Sequence, residues 1–463
     1  MSGSEPTANG ESQREPSYSN LVSTIEETLA DLDPPLSAEC CIYKVPEKLR
    51  KVNEAAYTPQ FVSIGPLHHG EKCLKKMEVQ KLRYLKCFLQ EAGSAIRLEE
   101  LVSYIEKTEP RIRQCYTESF DYLSTDQFVK IVLVDAIFII EFFLRIHIGK
   151  LVAEDYDFIL EKPWMRNDIE QDLILLENQL PFFVLKDIYD LAVKSRSVIF
   201  PSFFELTLHH FRGYNSLNKT FPQDVKHFTD LLRYFQLPRS PKCSPIVNCF
   251  YNIVKVLRKI VMPMHFINLL LGSESRQKPE RGTEKYKVRC ATELHEAGVN
   301  FKVSMRRCLL DIKFTNLELE IPCINLYEST ESCIRNLMAL EQCHYPLEAK
   351  ISDYIILLGY LINTAKDVEL LVQKKILVNW LGDHHAAATL FNKLGSQILQ
   401  VKENHYANIF KQQNAYCELQ SNVFALTDNS KINVRNRHIK TPWRGASIVA
   451  PIILVALLVL TVL

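Results

Sequence analysis

Apolar residues recur at helical spacing along most of this chain, and the gaps between them fall at turns rich in proline and glycine. Leu21, Ile25 and Leu29 predict a short helix ended by Asp33-Pro34-Pro35. Beyond the turn Gly65-Pro66-Leu67-His68-His69-Gly70, the positions Leu74, Met77, Leu82, Leu85, Phe88 and Leu89 predict a long amphipathic helix. Its polar positions carry Lys72, Lys75, Lys76, Lys81, Arg83 and Lys86, which reads as a solvated basic face or as a surface for an acidic partner. The run 131–148 has the length of a membrane span, but Asp135, Glu141 and Arg145 fall within an arc of about 120° on a helix. Glu141 and Arg145 are also four residues apart, so a core helix with a paired polar stripe is predicted. In the following block Pro181 disfavours helix at Leu180 and predicts a break. Ile312, Phe314, Leu317, Leu319 and Ile321 alternate with Lys313, Glu318 and Glu320 around Thr315-Asn316, the pattern of a small β-hairpin. Ser329-Thr330-Glu331 then caps a helix through Leu337, Leu340 and Glu341, and further helices are predicted over 353–372 and 386–404.

The same pattern sets an expected domain organisation. Residues 1–37 read as a flexible tail with the short helix, and 38–430 as one helical domain containing a polar linker near 273–286. At the far end 445–463 carries no charge, and a helix over it reaches roughly 28 Å, near the ~30 Å of a bilayer core. The segment 431–444 before it holds Lys431, Arg435, Arg437, Lys440 and Arg444 without an acidic residue, which orients such a span with this flank in the cytosol. Residues 1–20 lack the charged start and apolar core of a signal peptide. The fold class expected is therefore mainly α, a multi-helix globular body with a small β-hairpin and a single C-terminal transmembrane helix. The alternative for the tail is a buried helix of the body. The location expected is a membrane, entered by a single-pass anchor, with the body cytosolic.

Composition leaves this picture intact. With 463 residues, 47% of them apolar, the chain can bury a sizeable core. A formal net charge of +1 gives no global attraction to nucleic acid, and no nucleic-acid partner is expected. The 13 cysteines form no C-x-x-C pair and read as reduced thiols. His68-His69 and His384-His385 are adjacent pairs, which point about 100° apart on a helix and do not converge on a metal. Glu177, Asn178 and Gln179 sit just before the Pro181 break, where they satisfy freed backbone groups or line a ligand site. There is no G-x-S-x-G elbow, Walker loop or G-x-G-x-x-G, and no cofactor or metal is expected.

Several ordered motifs give the chain a resemblance. They are Cys41-Ile42-Tyr43-Lys44-Val45-Pro46 with Asn53-Glu54 and Tyr57-Thr58-Pro59-Gln60; Val62 through Gly70; Met77-Glu78 with Lys81-Leu82-Arg83-Tyr84-Leu85; and Leu175 through Phe183. Glu293-Leu294 with Ala297-Gly298-Val299, Arg335-Asn336-Leu337 with Glu341-Gln342, and Leu390-Phe391-Asn392 follow. Together they resemble the plant family called domain of unknown function 247, from Cys41 to the C-terminal run. The chain departs from it at Asp135-Ala136-Ile137-Phe138, where the family commonly has Asp-Gly-Cys-Phe, and near His384-His385, where the family commonly has acidic residues. The resemblance implies a plant protein with a C-terminal membrane helix, commonly at the plasma membrane, without an established activity. Links of some members to self-incompatibility, stress or defence imply recognition or signalling through protein contact.

Two functions follow as expectations. The first is a non-enzymatic interaction, recognition or signalling module, tethered to the bilayer and meeting a protein partner of unknown identity. The alternative is a membrane-anchored enzyme using His68, His69 and Glu177, which requires these groups to converge in one pocket.

Overall fold

The computed structural model describes residues 18–30, 36–92, 97–149, 157–193, 201–239, 289–398 and 404–417. The first helix, α1 (Tyr18–Ala30), leaves its apolar stripe Leu21, Ile25 and Leu29 exposed. A single turn, α2 (Glu47–Arg50), precedes the body, whose axis is α5 (Thr125–Ile148). That helix is apolar nearly all round and is buried from Ile131 to Leu144, as expected of a helix enclosed by others. Around it pack α3 (Lys75–Ala92), α4 (Leu98–Arg113), α7 (Phe182–Val193) and α8 (Phe203–His210). Ser124 and Gln127 form a reciprocal cap at its start, and Gly149 ends it with φ 64°. The predicted polar stripe is present: Arg145 pairs with Glu141 and with Asp157, each at 2.7 Å.

The remaining helices are α6 (Pro163–Leu173), α9 (Phe228–Gln236), α10 (Ala291–Glu296), α11 (Thr330–His344), α12 (Lys350–Leu361), α13 (Ala365–Gln373) and α14 (His384–Leu394). Residues 407–417 are also helical. The expected hairpin exists as β2 (Lys313–Thr315) and β3 (Glu318–Pro322), with Thr315 opposite Glu318. It is part of more: β1 (Asn300–Ser304) joins β3 in parallel, giving the order β1-β3-β2. A separate parallel pair links β4 (Ile324–Leu326) to β5 (Leu377–Asn379).

Four expectations are corrected. Among the described residues no helix is long and apolar enough to cross a membrane, so the architecture is mainly helical with two small sheets, without the expected transmembrane helix. The longest helix, α5, is disqualified because Asp135, Glu141 and Arg145 find charged partners within the protein. The run 445–463 and its basic flank Lys431, Arg435, Arg437, Lys440 and Arg444 lie outside the described residues, as does the linker at 273–286. The helix predicted over 353–372 is two helices, because Thr364 and Asp367 form a reciprocal cap that starts α13. The helix predicted over 386–404 starts at His384 and ends at Leu394, ahead of Gly395. Finally, the inward face of α3 is shifted in part: Leu74 just before it, Met77 and Phe88 are buried as expected and Lys81 and Tyr84 join them, whereas Leu82 is exposed.

Candidate functional site

Between α6 and α7 the chain runs from Ile174 to Pro181 without helix, and nearly every polar group of this loop is buried. Four side chains organise it. Asp172, at the end of α6, accepts the backbone N–H groups of Gln60 at 2.9 Å, Phe61 at 2.6 Å and Val62 at 2.7 Å. Glu177 accepts Val45 N–H at 2.6 Å, the Arg50 guanidinium, and His68 Nε2 at 3.1 Å. Asn178 accepts Ile64 N–H at 2.7 Å and donates to the carbonyls of Val62 and Asp172, each at 3.0 Å. Gln179 donates to Leu173 O at 2.6 Å and Leu175 O at 2.8 Å while accepting Phe228 N–H at 3.0 Å. Two partners come from afar: Asn336 accepts Leu176 N–H at 2.9 Å, and Thr229 donates to Ile174 O at 3.0 Å.

The loop is thus a hub that replaces missing helical hydrogen bonds with side-chain ones and uses the surplus to hold the segment 40–66. Close approach at one point demands glycine. Gly65 has φ 74°, and a Cβ there would stand 2.6 Å from Gln179 O and 2.9 Å from the Tyr116 hydroxyl. The Gly65 N–H donates to Asp135 at 2.8 Å. Asp135 in turn pairs at 2.5 Å with Lys81, which is 0% exposed and also meets Glu78 at 2.5 Å and Ser63 O at 2.9 Å. Across the body, Arg233 pairs with buried Glu341 at 3.2 Å, and Glu341 accepts Ser352 N–H at 2.8 Å.

Electrostatics follows burial and pairing. Burial alone lowers the His68 pKa, but hydrogen bonds to Glu177 and to Glu71 at 2.6 Å outweigh it, and the imidazole is held above its ordinary 6.5. Burial raises Glu177, yet His68, Arg50 and Val45 N–H outweigh that and hold its carboxyl below the ordinary 4.5. Each partner thus favours the charged form of the other. Asp135, fully enclosed, is pushed up to about 6 despite Lys81. Lys81 is depressed by burial but raised on balance by its two carboxylates.

The expected site residues separate into two groups. His68, Glu177, Asn178 and Gln179 converge in the hub, engaged by the protein's own backbone and charges. His69 does not join them; it is exposed, with Nδ1 4.0 Å from Glu78. His385 lies on the first turn of α14, where Asp383 accepts the backbone N–H groups of His385 and Ala386. Arg50, Lys81, Asp135, Asp172 and Asn336 were missed as members of these networks. For Lys81 the signal was present: four residues after Met77 and three before Tyr84, it sits on the buried ridge. Among the described residues no group of His, Cys, Asp and Glu is arranged to hold a metal ion.

The hub joins segments that the sequence motifs mark separately, Cys41–Pro46, Val62–Gly70, Leu175–Phe183 and Arg335–Leu337. Comparison with known proteins agrees with that pattern. The chain is 27% identical to the UPF0481 protein At3g47200 of Arabidopsis thaliana, over 95% of this chain and 89% of the relative. It is 24% identical to the putative UPF0481 protein At3g02645 of the same plant, over 81% of this chain and 82% of the relative. No solved structure matches it. Residues 42–457 match the profile described as plant protein of unknown function, so the chain belongs to the plant family called domain of unknown function 247.

Proposed function

We propose that this protein is a non-enzymatic recognition module whose helical body presents a shaped surface to a protein partner. The observation that carries the reading is the exposed aromatic pair at the ends of β4 and β5. Tyr327 and Trp380 stack with ring centroids 5.8 Å apart and planes 15° from parallel, yet remain 48% and 63% exposed. Their backbone is not loose: Trp380 N–H donates to Leu326 O at 3.0 Å, and Tyr327 N–H donates to the Thr330 hydroxyl at 2.9 Å. Rigid, amphipathic aromatic side chains held in the open lose little entropy on contact, which is why Tyr and Trp dominate binding hot spots. Near the same end, a cleft of about 480 Å³ is lined by Asn53, Glu331, Asp383, His385 and Lys393, offering hydrogen bonds beside the apolar pair. By contrast, the polar residues of the hub are turned inward and serve the fold.

The test is proximity labelling in native plant tissue with the full chain and with a Tyr327→Ala/Trp380→Ala variant. The reading expects neighbours that are lost with the variant while its melting temperature stays within a degree or two of the parent. An unchanged set of neighbours overturns it.

A further inference from the structure

Apart from the aromatic surface and the hub, the structure holds a pair of thiols in unusual register. The extended segment at Ile42 forms a parallel bridge with Tyr116, in which Ile42 N–H donates to Cys115 O at 2.8 Å and Thr117 N–H donates to Ile42 O at 3.0 Å. One residue back in the same parallel register stand Cys41 and Cys115, with Cys41 N–H also donating to Cys115 O at 2.9 Å. Residues abreast in parallel chains lie about 4.8 Å apart and point to the same side, inside the ~4.4–6.8 Å Cα range that a disulfide spans. Their side chains interact, and the Cys115 thiol donates to Arg111 O at 3.4 Å. Both cysteines are free thiols. Both are buried, at 3% and 2% exposure, and both line a cleft of about 250 Å³ whose walls include Arg111, Phe182, Phe183 and Lys226.

We propose that Cys41 and Cys115 form a peroxide-oxidisable dithiol that closes to an intramolecular disulfide. This site stands independently of the recognition reading. The Cys115 thiolate attacks a hydroperoxide oxygen, cleaving the O–O bond; the sulfur becomes a sulfenic acid and the leaving alkoxide or hydroxide takes a proton. The Cys41 sulfur then attacks the Cys115 sulfur, and hydroxide leaves as water with the Cys41 proton. Two thiols and one hydroperoxide thus give one disulfide, one alcohol or water, and one water, with two electrons passing from sulfur to peroxide.

The assignment of roles follows the surroundings. Interaction with Cys41 lowers the Cys115 pKa, burial and Glu39 work against it, and Arg111 and Lys226 assist. Interaction with Cys115 and burial both raise Cys41, which suits it to the second step. The nearby charges are themselves partnered: Arg111 meets Glu39 at 3.3 Å and lies over the Phe183 ring at 4.0 Å, and Lys226 meets Asp224 at 2.8 Å.

The experiment treats the full chain with graded hydrogen peroxide, alkylates the remaining thiols and maps cross-linked peptides by mass spectrometry. The expected result is a Cys41–Cys115 peptide pair, formed at roughly tenfold lower peroxide than oxidation of exposed Cys73 and reversed by dithiothreitol. Cys41→Ser should instead leave a Cys115 sulfenic acid that dimedone traps, while Cys115→Ser should remove both products. Absence of the Cys41–Cys115 pair in the unmodified chain, a Cys40–Cys115 pair in its place, or oxidation no earlier than that of Cys73 overturns the proposal. Because the mapping uses the unaltered chain, it stands even where a serine variant does not fold.

Discussion

Glu177 is held by three groups at once, and its loss strands all of them: Val45 N–H, the Arg50 guanidinium and His68. Glu177→Ala should therefore cost about 3–5 kcal/mol in denaturant unfolding near neutral pH, the cost of breaking a buried pair from one side. The pH dependence has a definite sign. His68, raised above 6.5, stabilises in full below that value and loses its contribution as pH rises through its folded pKa. Glu177, held below 4.5, contributes fully above that value and loses its contribution as pH falls through its folded pKa. His68→Gln should flatten the alkaline side of the stability profile and shrink the acid side without abolishing it, since Arg50 and Val45 N–H still hold Glu177. Lys81 gives the opposite case. Lys81→Met leaves Asp135 enclosed without its cation, and that carboxyl, already pushed up to about 6, becomes easier to protonate still. A folded carboxyl pKa above 3.8 destabilises progressively as pH rises past that value, so the variant's deficit should be smaller at about pH 5 than at about pH 8. Equal deficits at the two pH values would show that Asp135 does not carry the penalty.

At the scale of elements, much was legible where a pattern is local. The core helix α5, its polar stripe and the β2-β3 hairpin all follow from spacing within a few residues. What was not legible depended on where a face points. Spacing from Met77 and Tyr84 marks Lys81 among the lysines of α3 as facing inward, but its partner Asp135, across the core, is not legible in the sequence. The cap at Thr364 and Asp367 was readable, since Thr-x-x-Asp marks a helix start, but the apolar run through it was the louder signal. The hairpin turn contains a residue at odds with its conformation. Asn316 and Leu317 have φ 50° and 62°, a left-handed pair suited to Asn or Gly and costing Leu roughly 1–2 kcal/mol. Leu317→Asn should accordingly stabilise the chain by about 0.5–1 kcal/mol, read as a rise in urea midpoint without change in slope.

Across the whole molecule, the hub makes distant parts of the chain depend on one another. Asn336 on α11 accepts Leu176 N–H and donates to Ala56 O at 2.7 Å, so one side chain ties residues 56, 176 and 336 together. None of these links is visible in sequence, because each joins a backbone group to a side chain more than a hundred residues away. In Asn336→Ala, Leu176 N–H and Ala56 O each lose a buried partner, about 1–3 kcal/mol per group. Hydrogen exchange should then accelerate together at 54–57 and 174–177, and the lost order should spread to Asn178 and its bond to Ile64 N–H at 2.7 Å. Exchange confined to α11 would mean that the hub's segments are stable without one another, and that the bonds between them add little to the fold. Acceleration at all three sites would make the 174–181 loop the common support of the body, and would place the exposed Tyr327 and Trp380 surface on a scaffold that opens only as a unit.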